Sequence, residues 1–349
     1  MNPTMADVAE RAGVSISTVS LVLNEKAGVS TDVRAAVRQA AAELGYALSE
    51  RRRRRQHRQP KTIAVVHFGV PDTSAGPRLT GLAASYVAGI QKGCLDKNAN
   101  WALISHYQER DPRNVGYRFL ESETLDYDGL ILIYVPSRKS LLLQRALEQG
   151  IPVVVISRDW PDLPVSTVGQ DHPQQACLAL DHLVELGHRR IAFLARPSDE
   201  PYDWFQVRLT CYQEKMVGLG TYDPALVVVK PDLCRAAQAL LARRPDVTAI
   251  LGVHDTAALA AMQGLRQAGI EVPRQVSVIG IGNDSALPEG LPALTTVGFP
   301  DRKVGFLAAK VLLEHIEDPD LCYSKVFVES WVIERDSCAA PVAMPLGAS

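Results

Sequence analysis

From residue 61 onward the chain repeats one pattern, in which a short run of apolar residues is followed by a longer amphipathic segment. The runs at 129–135 and 152–157 are almost continuously apolar, which is typical of parallel strands covered by helices on both faces. Segments of helical length separate the runs, as in chains that wind helices around a parallel sheet. The pattern therefore predicts an α/β fold with doubly wound parallel sheets.

The periodicity predicts individual strands and helices. The predicted strands lie at 62–68, 101–105, 129–135, 152–157, 190–195, 225–229, 248–251 and 275–279, and the predicted helices at 80–98, 138–149, 173–187, 203–217, 233–243 and 255–268. These units are too many for one small sheet, and the stretch Trp-Pro-Asp-Leu-Pro at 160–164 predicts a boundary between two lobes. Ligands of open α/β folds bind beyond the carboxyl ends of the strands, so we expect a ligand cleft where two such edges face each other.

The first 46 residues differ because their apolar periodicity is helical throughout. Thr4 followed by Asp7 resembles a capping box, and Ser15 and Ser30 are suited to cap a second and a third helix. The predicted inward-facing residues are Val8, Ala9 and Ala12, then Val19, Val22 and Leu23, then Val33, Val37, Ala40, Ala41 and Leu44. We therefore predict that this head is a three-helix bundle.

The second predicted helix carries side chains that its packing does not need. Ile16, Ser17 and Leu21 face away from the predicted core, and short hydroxyl and apolar side chains after a tight turn fit insertion into a DNA major groove. Hydroxyl groups at helix starts or on the outer face suit contacts with phosphates. These hydroxyls belong to Thr4, Ser15, Thr18, Ser20 and Ser30. A three-helix bundle that binds protein shows the same pattern, so the pattern alone leaves both interpretations open.

The formal net charge of -2 conceals an uneven distribution. Residues 1–61 hold 11 Lys and Arg against 6 Asp and Glu, whereas residues 62–349 hold 26 against 33. A basic head on a mildly acidic body indicates that the head meets a polyanion. Residues 47–61 show no apolar periodicity and are interpreted as a linker. Its arginines, which suit a narrow minor groove, are Arg51, Arg52, Arg53, Arg54 and Arg55. A solvated basic run that adds only nonspecific affinity is the alternative.

Other classes of protein are disfavoured by what the sequence lacks. No apolar run approaches the roughly 18 to 20 residues that cross a bilayer, and no basic segment with a following apolar stretch begins the chain, so we expect a cytoplasmic protein. Six scattered cysteines without a C-x-x-C pair indicate neither a zinc site nor a redox dithiol. G-x-S-x-G, P-loop and H-E-x-x-H motifs are missing. We therefore expect no enzyme activity, no metal and no cofactor.

The head contains a specific set of segments, which are TMADVAERAGVSISTVS at 4–20, VLN at 22–24, VS at 29–30 and ELGY at 43–46. Together these segments resemble the DNA-binding head of the lactose-repressor/galactose-repressor (LacI/GalR) family of transcription regulators. The resemblance implies that Ile16, Ser17 and Leu21 read bases and that Ser20 and Asn24 contact phosphates.

The head departs from the family pattern at two positions. Leu21 stands where the family usually has arginine or another polar residue, which favours contact with thymine methyl groups over bidentate recognition of guanine. Arg55 stands where the family's hinge helix typically places a leucine in the minor groove. The operator preferred by relatives is therefore not expected to apply to this chain.

The resemblance continues through the body, in DGLIL at 128–132, GIPVV at 150–154, HLVELGHRRIA at 182–192, VP at 272–273, VSVIG at 276–280 and PALTTV at 292–297. It implies a two-lobed fold like that of periplasmic binding proteins, in which the chain passes between the lobes three times. The implied boundaries are a head at 1–46, a hinge or linker at 47–61, a first lobe at 62–160 and 297–320, a second lobe at 163–293 and 323–335, and a tail at 336–349. The tail has no leucine heptads, so a tetramerising coil is not expected.

The resemblance also implies an effector site. Arg208 aligns with an arginine that holds the hydroxyl or carboxylate groups of an effector. His254-Asp255 stands where relatives usually have Asn-Asp, although a histidine that caps the next helix fits the pattern equally well. Gly282-Asn283 replaces an Asp-Asp pair, so the aspartate that commonly binds a sugar hydroxyl is absent, and Asp284 could replace it if the loop shifts. The segment 69–79 is expected to line the same cleft.

The residues and the resemblance together predict a cytoplasmic homodimeric transcription regulator, with repression favoured over activation. Such a dimer binds double-stranded DNA at a pseudo-palindromic operator. A small-molecule effector, a sugar or a related metabolite, is expected to bind between the lobes and to control operator affinity. The alternatives are a ligand-insensitive architectural DNA binder and a cytoplasmic small-molecule-binding module with an attachment head.

Overall fold

The computed structural model describes residues 5–23, 29–44, 46, 60–68, 81–107, 125–200, 202–283 and 288–342. For residues 17, 20 and 105–107 it describes the backbone alone. Several predicted positions therefore lie outside the described residues: Thr4, Asn24, Arg51, Arg52, Arg53, Arg54, Arg55, Asp284 and the segment 69–79, together with the side chains of Ser17 and Ser20.

The helices and strands follow one another in a largely alternating order. In the head they are α1 (Met5–Ala12), α2 (Ile16–Leu23) and α3 (Thr31–Glu43). In the body they are β1 (Thr62–Phe68), α4 (Gly81–Asp96), β2 (Asn100–Tyr107), β3 (Gly129–Ile133), α5 (Leu141–Glu148), β4 (Val153–Ile156), β5 (Ser166–Gln170), α6 (His172–Glu185), β6 (Ile191–Ala195), α7 (Asp203–Gly218), β7 (Val227–Val229), α8 (Leu233–Arg243), β8 (Ala249–Gly252), α9 (Asp255–Gln267), β9 (Ser277–Ile281), β10 (Thr295–Gly298), α10 (Asp301–Glu317), β11 (Lys325–Val328) and β12 (Trp331–Ile333).

The head is a three-helix bundle around a small apolar core, as its periodicity predicted. Its buried residues are Val8, Ala9, Val19, Val22, Val37, Ala40 and Ala41. The predicted inward residues Ala12, Leu23, Val33 and Leu44 pack against this core while remaining partly exposed. The predicted bundle and its packing faces are therefore confirmed within the described residues.

The chain divides into two compact units. The first comprises Met1–Leu79, Val87–Val168 and Gly305–Val326, and it contains a six-stranded sheet in the order β11-β5-β4-β3-β1-β2. The pairs β1–β2, β1–β3, β3–β4 and β4–β5 are parallel. All five residues of β3 are buried, as are all four of β4, which agrees with a sheet covered on both faces.

The second unit comprises Thr80–Tyr86, Gly169–Val304 and Phe327–Ser349. Its six-stranded sheet has the order β12-β10-β9-β8-β6-β7, in which β12 alone among the described pairings is antiparallel to its neighbour. The buried hydroxyl of Tyr212 on α7 donates to the carbonyl of Ile191 on β6 at 2.7 Å, which attaches this helix to the sheet. The predicted doubly wound α/β architecture is confirmed.

The unit boundaries differ from those expected at the crossings between the units. The segments Ser166–Gln170 and Lys325–Val328, expected in the second lobe, lie in the first sheet, whereas Thr295–Gly298 lies in the second sheet. The apolar pattern did not predict β5, because its sequence, Ser-Thr-Val-Gly-Gln, contains a single large apolar residue. Its polar side chains are nevertheless buried, and the Ser166 hydroxyl accepts a hydrogen bond from the Ser324 backbone N–H at 3.0 Å. Pairing between strands that are distant in sequence therefore determines where the chain crosses from one unit to the other.

Helices α8 and α9 pack closely at Gly264. A Cβ atom at this position would lie 2.2 Å from the Cys234 carbonyl oxygen and 2.6 Å from its Cα atom. The Gly264 carbonyl also accepts a hydrogen bond from Gln238 Nε2 at 2.8 Å, so that the two helices are joined at the point of contact. No helix of the described part of the chain is both long and apolar enough to cross a membrane.

We predict opposite effects for two helical glycine substitutions. Gly264→Ala should lower the free energy of unfolding by about 1–3 kcal/mol, because the backbone of α8 must move to admit the methyl group. Gly218→Ala, at the end of α7 with no atom within 4 Å of the added Cβ, should be neutral or stabilising by up to about 0.5–1 kcal/mol. Denaturant unfolding of both variants measures the difference. Equal midpoints would contradict the close packing of α8 on α9.

Candidate DNA-reading and effector sites

A tight turn sets the start of helix α2. Gly13 adopts a positive φ of 66° with no atom near its Cβ position, and the Val14 backbone N–H donates to the Ala9 carbonyl at 3.0 Å. The Ser15 hydroxyl then accepts a hydrogen bond from the Thr18 backbone N–H at 3.1 Å, which satisfies one of the open donors of the first helical turn. The turn and the cap together form a helix-turn-helix.

Helix α2 separates its apolar residues between the core and the solvent. Val19 and Val22 are buried, whereas Ile16 remains 47% exposed and Leu21 38% exposed. Ile16 and Leu21 therefore keep apolar surface that the core of the head does not cover, and such surface is suited to contact with base edges and thymine methyl groups. The assignment of Ile16, Ser17 and Leu21 to base reading remains a prediction.

The predicted phosphate-contacting hydroxyls have local roles as well. The Thr18 hydroxyl lies 2.8 Å from that of Ser15, and the Ser30 hydroxyl accepts from the Val33 backbone N–H at 3.4 Å as the cap of α3. These groups therefore define the helix N-termini, where the positive end of the helix dipole favours phosphate. Contact of Ser15, Thr18, Ser20 and Ser30 with phosphates remains a prediction.

An ion pair fixes the first helix of the head to the third. The Arg11 guanidinium donates to Glu43 through Nε at 3.1 Å and Nη2 at 2.8 Å, and Gln39 Nε2 donates to the other carboxylate oxygen at 3.0 Å. Hydrogen bonds from Arg11 and Gln39, with the Arg11 charge, hold the pKa of the Glu43 carboxyl below its ordinary value. The two hydrogen bonds from Arg11 to one carboxylate oxygen of Glu43 join α1 to α3 at the surface of the head.

In the second unit, Arg208 is the centre of a buried polar cluster. Its Nη1 donates to the Val253 carbonyl at 2.6 Å, and its Nη2 donates to Gln175 Oε1 at 2.9 Å. The guanidinium also lies 5.2 Å from the centre of the Trp204 ring. Burial lowers the pKa of Arg208 to about 10, although the charges of Asp255 and Asp199 oppose the shift. Among the described residues no carboxylate forms an ion pair with Arg208.

His254 caps helix α9 in a single tautomer. Its Nδ1 accepts from the Ala257 backbone N–H at 3.1 Å and lies 2.8 Å from the Thr256 hydroxyl. An amide N–H can only donate, so the ring proton is on Nε2, which donates to Asp199 Oδ1 at 3.2 Å. Burial raises the pKa of Asp199, but His254 and the Arg196 backbone N–H outweigh it and leave the pKa below its ordinary value.

Asp255 has a structural contact in addition to its position near Arg208. The Thr296 hydroxyl donates to Asp255 Oδ1 at 2.6 Å, which joins the first residue of α9 to β10. Gly280 on β9 admits this carboxylate, because a Cβ atom there would lie 2.2 Å from Asp255 Oδ1. A role of Asp255 in effector binding remains a prediction, and its contact with Thr296 fixes where its carboxylate lies.

The residues after β9 face Arg335 on the tail side of β12. Asn283 adopts a positive φ of 57°, and its Oδ1 accepts from Arg335 Nη2 at 2.6 Å. Gly282 has a φ of 137°, which a residue with a side chain rarely adopts. Effector contact by Gly282 and Asn283 remains a prediction, and Arg208 makes no hydrogen bond to either residue.

Sequence reasoning missed four members of the cluster around Arg208, one of which is His172, whose Nδ1 lies 3.5 Å from Arg208 Nη2. Gln175 was hidden because the preceding strand β5 was not recognised, so the first turn of α6 was not placed at the end of a strand. Asp199 follows the predicted strand β6, and this position was a usable indication of a site residue. Trp204 was one of many aromatic residues, and nothing local to it indicated contact with a buried guanidinium.

Comparisons with known proteins agree along the whole chain. "Bacterial regulatory proteins, lacI family" matches residues 4–49, and "Periplasmic binding protein-like domain" matches residues 180–338. The HTH-type transcriptional regulator CelR of Thermobifida fusca is 30% identical over 342 residues, which cover 96% of this chain and 98% of that protein. The ribose operon repressor of Escherichia coli K12 is also 30% identical, over 96% of this chain and 99% of its own length. A solved structure described as a transcriptional regulator CelR-cellobiose complex has a TM-score of 0.69 at 29% identity, with 96% of this chain and 99% of that chain covered.

A helix-turn-helix head on two α/β units defines a DNA-binding transcription regulator whose body binds a ligand. With relatives similar over almost their full length, the chain belongs to the LacI family of bacterial regulatory proteins. The predicted family, fold class and function as a ligand-controlled DNA-binding regulator are confirmed. These relatives are transcription regulators and not enzymes.

We predict that substitution can separate the capping role of His254 Nδ1 from the hydrogen bond that Nε2 donates to Asp199. His254→Asn should retain the cap of α9 through its side-chain oxygen, whereas His254→Ala should lower the free energy of unfolding by about 1 kcal/mol. Thermal unfolding of the two variants measures this contribution. If Asn and Ala at this position cost the same, the contribution of His254 does not come from capping.

Proposed function

We propose that the protein is a homodimeric repressor that binds a pseudo-palindromic operator through helix α2. The observation that carries this proposal is the exposure of Ile16 and Leu21 on the second helix of a helix-turn-helix whose other large apolar residues are buried or partly buried. A dimer presents two such helices to successive major grooves, about 34 Å apart or at a related spacing. Because the protein must reach its operator, we propose that it acts in the cytoplasm.

A small polar effector is proposed to bind at the cluster formed by Arg208, Gln175 and His254. The cluster supports this role because Arg208 Nε and Gln175 Nε2 are buried N–H donors without a hydrogen-bond partner among the described residues. Buried donors without a partner destabilise the folded protein unless a ligand accepts their hydrogen bonds. The names of the similar proteins refer to cellobiose and ribose, which supports a sugar or a related metabolite as the effector.

Effector and operator binding are coupled in this proposal. A ligand that binds one conformation of the body more tightly shifts the population toward that conformation and so changes the affinity of the heads for DNA. The coupling is reciprocal, so operator DNA must change the affinity for the effector by the same factor. Binding of the operator by the full-length dimer is therefore the primary test.

We predict that the purified full-length protein selects a pseudo-palindrome with fixed half-site spacing from random duplex DNA. Leu21→Ala should weaken binding of that sequence about 5- to 30-fold and relax selection at one position in each half-site, because the variant cannot make the apolar contact with a base. Val217→Ala, which removes another exposed apolar side chain but lies on α7, should bind as the unaltered protein does. Selection of no preferred sequence would refute the proposed repressor.

We predict that the linker arginines contribute to DNA affinity through phosphate charge. Replacement of Arg51, Arg52, Arg53, Arg54 and Arg55 by glutamine should reduce the slope of log affinity against log salt by about 0.9 for each phosphate that is no longer neutralised. Replacement of the same five residues by lysine keeps the charge and should keep most of the slope. Operator titrations at several salt concentrations measure both. An unchanged slope in the glutamine variant would show that the linker does not contact DNA.

A further inference from the structure

Two buried side chains of the Arg208 cluster carry open hydrogen-bonding atoms. Gln175 is fully buried and Arg208 is 5% exposed, yet Gln175 Nε2 and Arg208 Nε have no hydrogen-bond partner among the described residues. The orientation of the Gln175 amide is settled by its neighbour, because a guanidinium can only donate and therefore faces Oε1. Both open atoms are consequently N–H donors, and a ligand that satisfies them must provide a hydrogen-bond acceptor.

The acidic side chains beside Arg208 already have other partners. Asp199 accepts from His254 Nε2 through Oδ1 and from the Arg196 backbone N–H through Oδ2 at 2.7 Å. Asp255 accepts from the Thr296 hydroxyl. Neither carboxylate forms an ion pair with Arg208, so the guanidinium is buried without a counterion in contact among the described residues.

Among the described residues at the nearby end of β9, neither Gly282 nor Asn283 directs a side-chain acceptor to Arg208. Gly282 has no side chain, and the Asn283 side-chain oxygen is directed to Arg335 Nη2 at 2.6 Å. A neutral sugar hydroxyl donates as well as accepts, so a site for sugar hydroxyls needs acceptor groups beside its donors. A carboxylate only accepts, and it also supplies the charge that a buried guanidinium lacks.

We propose that the effector of this protein carries a carboxylate group, as in a sugar acid, and that this group binds between Arg208 and Gln175. The inference rests on the proposed effector site and specifies its ligand class. The N-terminal turns of α6 and α9 supply Gln175 and His254, and the positive ends of these helix dipoles favour the same charge. The structure thus assigns to Gln175 the role of a residue that determines specificity.

The test compares matched pairs of probes on the full-length protein. The pairs are D-glucuronate with D-glucose and D-galacturonate with D-galactose, supplemented by D-gluconate, acetate and formate, all against chloride at equal ionic strength. The unfolding midpoint and calorimetric titration give the affinities. We expect at least one carboxylate to bind about 10- to 100-fold more tightly than its neutral partner, as a charge-assisted bidentate contact provides.

Two variants and one control assign the effect to this cluster. Gln175→Glu keeps an acceptor for Arg208 but places a negative charge in the site, and it should abolish carboxylate binding. Arg208→Gln should also abolish it and provides a second variant if the first folds poorly. Gln174→Glu makes the same chemical change at the adjacent exposed residue, which accepts from the Ser330 backbone N–H, and it should bind as the unaltered protein does.

Several outcomes would overturn the proposal. Equal or tighter binding of the neutral partner would show that the ligand class is wrong, while operator selection would still support the repressor. Carboxylate binding retained in Gln175→Glu would place the anion elsewhere. A protein whose midpoint responds to none of the carboxylates, formate and acetate included, lacks the open donor pair inferred here. The operator selection is performed without effector, so failure of the ligand class and failure of the repressor function are distinguished.

Discussion

The buried guanidinium of Arg208 is the contact on which the second unit's polar cluster depends. It joins α7 to the end of β8 through the Val253 carbonyl and to α6 through Gln175. A charge without a counterion in contact is costly to bury, and a fold selected for stability alone would replace it. In the proposed effector site a ligand would supply the missing acceptor, and the cost of the buried charge in the unliganded protein would be offset on binding.

The head leaves two apolar side chains of α2 exposed although its own core is very small. Val19 and Val22 secure α2 against the other two helices, and the Arg11–Glu43 pair fixes α1 to α3. Ile16 and Leu21 project from the helix that these contacts hold. In the proposed function, a helix preorganised in this way loses little conformational entropy when it enters a groove.

Much of the fold was predictable from the sequence because helical and strand periodicities are local. All eight predicted strands and six predicted helices of the body are present, with ends within about three residues of those expected. The strand β5 was missed because its buried residues are mostly polar. The segment 323–335, expected wholly in the second lobe, contains two short strands, β11 and β12, which lie in different sheets. Such assignments depend on pairing partners that are distant in sequence.

The sequence by itself determined the class of the protein: local periodicity predicted the three-helix head and the alternating α/β body, and the resemblance to a known family implied DNA binding and an effector site at Arg208 and His254. Only the tertiary structure decided which atoms of these residues remain open. Gln175 lies 33 residues from Arg208 in the chain, and its amide is oriented solely by their contact. Hydrogen-bond satisfaction is a property of neighbours in space, and the chemistry of a ligand site is therefore settled by packing.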